Sequence, residues 1–264
     1  MEHKAPLTLD TAIKVAFCLE GRDKINKFIQ YGSRAMAFYL LSMDPKSDMG
    51  KRFSELFKVT QQSRKAFRLG KSVTFYKKAM QIMDDKTLSP WQKYLQLIQS
   101  WGMVGFFVYD NMAFLAKAKF MPWDANEAAK RGGILWFCAN VAGFMIAMNN
   151  LNADLEKEKC IQDVLKTEED PARIESLRAQ VQTLRQNRFK KFLAMLKVTC
   201  DLIVSSNTSG VRLPERVWGT KLHDGIIGPI GCVSALTVLY NTWPTAPTPA
   251  IAADHSDSAD AKSK

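Results

Sequence analysis

Apolar residues in this chain fall into dense blocks separated by charged stretches, and within most blocks they recur every three or four positions, the spacing of one helix face. Leu9, Ile13, Ala16, Phe17 and Leu19 predict a first helix, capped by Thr8 or Asp10 and punctuated by Gly21. A second runs from Arg22 to Leu41 and stops before Asp44 and Pro45. From Lys51 to Met80 no proline intervenes, which predicts one continuous amphipathic helix with Phe53, Leu56, Phe57, Thr60 and Phe67 along one side. Pro90 heads the next helix, which passes through Trp91, Tyr94, Leu95 and Ile98 into an apolar block from Trp101 to Ala116 that contains Asp110. An acid there argues against a plain lipid-facing span.

Two later blocks are long enough to cross a bilayer, which takes about 20 apolar residues. Residues 132–151 are uncharged, with Asn140 alone in their core, and Gly225 to Trp243 carry no charge over 19 positions. Between them, Asp154 to Arg188 is charge-rich and predicted to be soluble or interfacial, with Pro171 separating two helices, and Phe189 to Val204 reads as a further amphipathic helix. The sum is an all-α, membrane-associated protein with amphipathic helices and one to three membrane-embedded helices. It divides into an N-terminal amphipathic region (1–90), an apolar helical region (91–151), a charged helical segment (152–224), a C-terminal transmembrane helix (225–243) and a tail (244–264) whose Pro, Ala, Ser and Asp content predicts disorder.

Charge sharpens the picture. Over 264 residues, 37 Lys and Arg against 26 Asp and Glu give +11, and residues 51–80 hold nine Lys and Arg against the lone Glu55, a local +8. Such a helix can lay Phe53, Leu56, Phe57 and Phe67 into the acyl boundary of a bilayer while Lys51, Arg52, Lys58, Arg64, Lys65, Arg68 and Lys71 meet anionic headgroups, and a wedge of this kind in one leaflet favours curvature. The competing reading is a bundle helix with its polar face in water; the neighbouring spans favour lipid. Nucleic acid ranks below lipid because the aromatic residues lie on the apolar stripe and do not interleave with the charge. In the last block Gly225, Gly228 and Gly231 recur every three residues, and Gly231 with Ala235 makes a small-x-x-x-small pair, which permits close helix packing and suggests a homo-oligomer. The other reading is a merely permissive sequence.

Catalytic chemistry finds little footing. The three histidines, His3, His223 and His255, assemble no triad, no P-loop or dinucleotide fingerprint occurs, and the five cysteines lack zinc-site or disulfide spacing. We therefore assign no active site, cofactor or metal. The first thirty residues show no secretory pattern, since Lys14, Glu20, Arg22, Asp23 and Lys24 break each apolar run.

Three stretches together resemble the peroxin-11 family of peroxisomal membrane proteins: Gly21-Arg22-Asp23-Lys24 leading to Gln30-Tyr31-Gly32-Ser33-Arg34; Ser63-Arg64-Lys65 to Arg68-Leu69-Gly70-Lys71; and Asp224-Gly225-Ile226-Ile227-Gly228 through Ser234-Ala235-Leu236 to Trp243. That resemblance implies a non-enzymatic protein of the peroxisomal membrane, with both termini facing the cytosol, that promotes peroxisome elongation, proliferation and fission. It further implies an amphipathic helix matching Lys51 to about Met80 that tubulates membrane, self-association, and collaboration with a fission adaptor and a dynamin-like GTPase. Were 132–151 and 225–243 the two spans, the basic segment between them would be luminal, against the positive-inside tendency. A third span at 98–116 would put the termini on opposite sides. Two other classes compete: a pore for small metabolites, motivated by Asp110 and Asn140 within apolar blocks, and a soluble helical adaptor.

Overall fold

The computed structural model describes residues 4–245; the tail predicted to be disordered lies outside them, apart from its first two residues. Nine helices order the described residues: α1 (Leu9–Phe17), α2 (Leu19–Met43), α3 (Asp48–Ala66), α4 (Lys71–Asp84), α5 (Pro90–Lys117), α6 (Ala125–Leu165), α7 (Pro171–Thr208), α8 (Leu213–Trp218) and α9 (Asp224–Thr242). Their starts follow local chemistry. Thr8 closes a capping box with Thr11, Ser47 and Ser89 cap α3 and α5, and Asp124 and Asp170 accept from the first backbone N–H groups of α6 and α7. Pro90 and Pro171 stand at helix starts, where a missing N–H costs nothing.

The continuous helix expected over 51–80 is two helices. The chain turns between Ala66 and Lys71, and Gly70 adopts a left-handed φ of 73° that other residues rarely accept. Conversely, residues 189–204 are no separate helix but the second half of α7, and the uncharged 132–151 block is the middle of the longer α6.

Among the described residues, α6 and α9 are the two helices long and apolar enough, by length and composition, to cross a membrane. In a soluble protein such helices would form the core; here only 22% of the most apolar stretch of α6 and 39% of that of α9 is buried. At 1.5 Å per residue the 41 residues of α6 reach about 60 Å, twice a hydrocarbon core, so its charged end extends beyond any stretch that could span. There α6 and α7 are held antiparallel by Asp154 with Lys191 (2.6 Å) and by Glu158 with Arg185 (2.7 Å) and Arg188.

Six helices close a ring. Contacts run from α9 to α2, α3, α5, α6 and α7, and α7 returns to α9; α4 lies against α5, α1 against α2 and α8 against α7. The α2–α9 seam is tight: a Cβ placed on Gly228 would lie 2.6 Å from Ala35 Cβ and 2.7 Å from the Tyr31 carbonyl, and one on Gly231 would enter the Tyr31 ring. The apolar centre is small, with Tyr31, Val204 and Ile227 at its heart. Much of the rest of the interior is polar, including Asp23, Lys27, Gln30, Arg64, Asp110, Asn140, Asp201, Ser205 and Ser234. Large apolar side chains face outward instead: Phe28, Ile29 and Met36 on α2, Trp101 and Val108 on α5, Ile134 and Val141 on α6, Val233 and Leu236 on α9. A protein in water has the opposite arrangement; polar-in and apolar-out suits hydrocarbon surroundings.

Candidate functional site

Along α2 the polar residues Glu20, Asp23, Lys24, Lys27, Gln30 and Arg34 recur at three- and four-residue steps, which aims one stripe inward. Opposite it, α3, the turn after it and the first residue of α4 contribute Arg64, Lys65, Arg68 and Lys71, α5 supplies Asp110, and α7 supplies Lys197 and Asp201. Together these line a cavity of about 430 Å³ whose remaining walls include Phe75, Met103, Phe106, Phe107 and Trp136.

The carboxylates are shared. Asp23 meets Lys24 Nζ (2.8 Å), Arg64 Nε (3.1 Å) and Arg68 Nε (3.3 Å), while Asp110 meets Arg68 Nη1 (3.1 Å) and Lys65 Nζ (3.5 Å). Glu20 holds Lys24 (2.8 Å) and Lys71 (3.0 Å), and Asp201 holds Lys27 (2.7 Å) and Lys197 (3.0 Å). Neutral groups finish the network: Arg64 Nη1 donates to Gln30 (2.6 Å), Lys27 Nζ donates to Ser234 Oγ (2.6 Å), and Asn140 Nδ2 donates to Ser205 Oγ (3.1 Å).

Burial and charge pull against each other here. Desolvation alone would raise the Asp23 carboxyl, but Arg64, Arg68 and Lys24 overcome it and hold it well below the usual carboxylate range. Burial lowers Lys27 to about 8 despite Asp201, with Arg64 pushing the same way. Burial also lowers Arg64, and the neighbouring Arg68 adds repulsion; Lys65 is lowered by burial and by Arg68 against the pull of Asp110.

The residues that the sequence offers as membrane-binding divide into two groups. Lys51, Arg52, Leu56 and Lys58 are exposed, and Phe53, Phe57 and Phe67 are half-buried, with Arg34 resting over the Phe57 ring at 5.6 Å. Arg64 is buried, and the side chains of Lys65 and Arg68 are only 14% and 12% exposed. Arg64, Lys65, Arg68 and Lys71 face the cavity, not a headgroup layer, because Asp23, Asp110 and Glu20 draw them in. Gly225, Gly228, Gly231 and Ala235 are buried, and the three glycines are filled by α2 of the same chain, which leaves that face closed to a second copy. Of the groups at the start of α9, Asp224 pairs with Arg34 (2.6 Å) and His223 stacks on Phe38 at 4.4 Å.

The model of the peroxisomal biogenesis factor 11 (PEX11) family matches residues 9–243, nearly the whole chain. The chain belongs to the PEX11 family. A peroxisomal membrane protein 11 homolog of Dictyostelium discoideum is 24% identical over 246 residues, covering 89% of this chain and 94% of that protein. The peroxisomal membrane protein 11B of Arabidopsis thaliana is 21% identical, covering 90% of this chain and all of its own length. No solved structure matches. PEX11 membership makes this a peroxisomal membrane protein of peroxisome biogenesis, in keeping with the apolar exterior of the ring.

Within this PEX11 protein, sequence reasoning passed over Asp23, Lys27, Lys197 and Asp201 as functional positions. The signal was there in α2: its polar residues keep helical spacing inside a helix whose Phe28, Ile29 and Met36 keep the opposite face. A polar stripe on an otherwise apolar helix marks an inward face when the surroundings are lipid.

Proposed function

We propose that this protein binds and curves the peroxisomal membrane, and so promotes elongation, proliferation and fission of the organelle. The carrying observation is the outer face of α3, where Lys51, Arg52 and Lys58 are exposed beside exposed Met49, Leu56 and Val59. That face stands at the end of the bundle where α9 begins: Gly50 packs on Leu40 and Leu41, one turn beyond Phe38 and Tyr39, which meet Gly225. The start of a crossing helix marks the headgroup level, so the cations meet phosphates while the apolar side chains enter the outermost acyl region. Each basic residue near an anionic surface contributes roughly 1 kcal/mol, so three hold the helix at that depth as a wedge. Family resemblance adds self-association, a fission adaptor and a dynamin-like GTPase as partners, and termini in the cytosol.

The test is full-length protein reconstituted into vesicles containing anionic phospholipid. Wild type is expected to tubulate them, and a variant with Lys51, Arg52 and Lys58 all changed to Glu to leave them round; equal tubulation by both would refute the role given to α3. In cells, overexpression should change peroxisome number and length, and the same variant should not.

A second reading, a pore for small metabolites, is favoured by one observation: the ring of helices holds a charged cavity beside its small apolar centre. Solute flux across sealed vesicles carrying the protein distinguishes it, since curvature alone passes no solute.

A further inference from the structure

Four carboxylates in the central cavity serve seven cationic side chains, a surplus of three positive charges; Lys24, Lys27, Arg64, Lys65 and Arg68 are largely buried, while Lys71 and Lys197 reach partly into solvent. Uncompensated charge away from water is costly, and apolar walls such as Phe106 and Trp136, stacked at 5.4 Å, offer it no relief. Nor do the cations merely tolerate one another: Arg64 and Lys65 are each lowered by burial and further by the charge of Arg68. One more cation at the cavity wall, Arg34, pairs outward with Asp224 and keeps a buried Nε without an acceptor.

We infer that this cavity binds a phosphate-bearing anion, a phosphomonoester or diphosphate group, clamped between Arg64, Lys65 and Arg68 on one side and Lys27 and Lys197 on the other. Arg64 and Arg68, one turn apart, use Nε and Nη1 on Asp23, Gln30, Asp110 and the Arg64 carbonyl; their remaining guanidinium N–H groups are donors suited to phosphate oxygens, and ammonium groups on the facing helices complete the shell. The charge of such a group, two or three negatives, matches the surplus. About 430 Å³ exceeds what a halide needs and falls in the range of small-ligand sites, with room for the ester's organic part against Phe107 and Trp136. The same phosphate chemistry comes either on a soluble metabolite or on a lipid headgroup entering from the bilayer. Neither occupant depends on the curving role of the outer face of α3.

The experiment uses purified full-length protein. In detergent, pyrophosphate is expected to raise the unfolding temperature, and chloride at matched ionic strength is not. Lys65→Gln and Lys197→Gln each remove one cation while Asp110 keeps Arg68 and Asp201 keeps Lys27, so the fold retains its pairs. Each should weaken pyrophosphate binding roughly tenfold, whereas Lys58→Gln, on the exposed face, should leave it unchanged. In a second arm, nanodiscs of phosphatidylcholine with or without phosphatidylinositol phosphate are analysed by native mass spectrometry. Retention of that lipid by wild type but not by Lys65→Gln assigns the site to a headgroup; pyrophosphate protection without lipid retention assigns it to a soluble ester. Equal stabilisation of wild type by chloride, or neither binding nor retention, overturns the proposal without recourse to any variant.

Discussion

The two ends of the basic stretch carry the same kind of residue to opposite fates. Lys51, Arg52 and Lys58 stand on the outside of α3, where Arg52 pairs with Asp48 and Lys58 with Glu55 on the same helix, with side chains more than half exposed in both pairs. Arg64, Lys65, Arg68 and Lys71, at the other end and just past it, are drawn inside by acids from α2 and α5. Charge density alone therefore does not locate a membrane-binding face; what decides is whether distant carboxylates claim the cations first. Paired charges within the bundle hold helices together, and cations left on the rim are the ones the proposed curving role assigns to headgroups.

Arg64→Ala is the largest expected break in that comparison. It strips the buried Asp23 of one partner and Gln30 of another, and removing one side of a buried pair costs about 3–5 kcal/mol. Chemical denaturation in detergent micelles, followed by helical circular dichroism, measures it; a cost near zero would mean that the inward cations are not structural.

Acidification probes the same pairing from the other side. Because the folded Asp23 carboxyl is held below its ordinary value of 3.8, the folded state keeps it ionised where the unfolded chain takes up a proton. Its contribution is complete above that ordinary value and is lost as pH falls through the lower folded one. The denaturation midpoint should therefore be level at mildly acidic pH and decline below 3.8, with a shallower decline in Asp23→Asn. A midpoint insensitive to pH there would remove Asp23 from the ledger of stabilising groups.

Much of this molecule was legible along the chain. Thr8, Pro90 and Pro171 marked helix starts, the uncharged runs marked the two helices long and apolar enough to cross a membrane, and the three quoted stretches gave the family. The turn at Gly70 was not legible, since an isolated glycine in a helical pattern costs only about 1 kcal/mol and does not by itself announce a break. Still less visible was the inward turn of Arg64 and Arg68. Asp23 precedes Arg64 by 41 residues and Asp110 follows Arg68 by 42, so no short sequence window contains either arginine together with that carboxylate. Periodicity reports which residues share a face; it is silent on what that face meets.

The smallest expected effect on stability falls at the outer end of α3, and it is the most informative about function. Arg52 pairs with Asp48, one turn away, and the two side chains are 72% and 73% exposed, so solvent screens most of their attraction. Arg52→Ala should change the unfolding free energy by no more than about 0.5 kcal/mol. Yet it removes roughly 1 kcal/mol of attraction to an anionic leaflet, a several-fold change in how firmly this edge of the helix is held at the headgroups. Tubulation of anionic vesicles by the reconstituted protein should fall while the denaturation curve stays in place. Should Arg52→Ala instead unfold the protein as Arg64→Ala does, the outer cations would be as structural as the inner ones, and the distinction between the two ends of α3 would collapse.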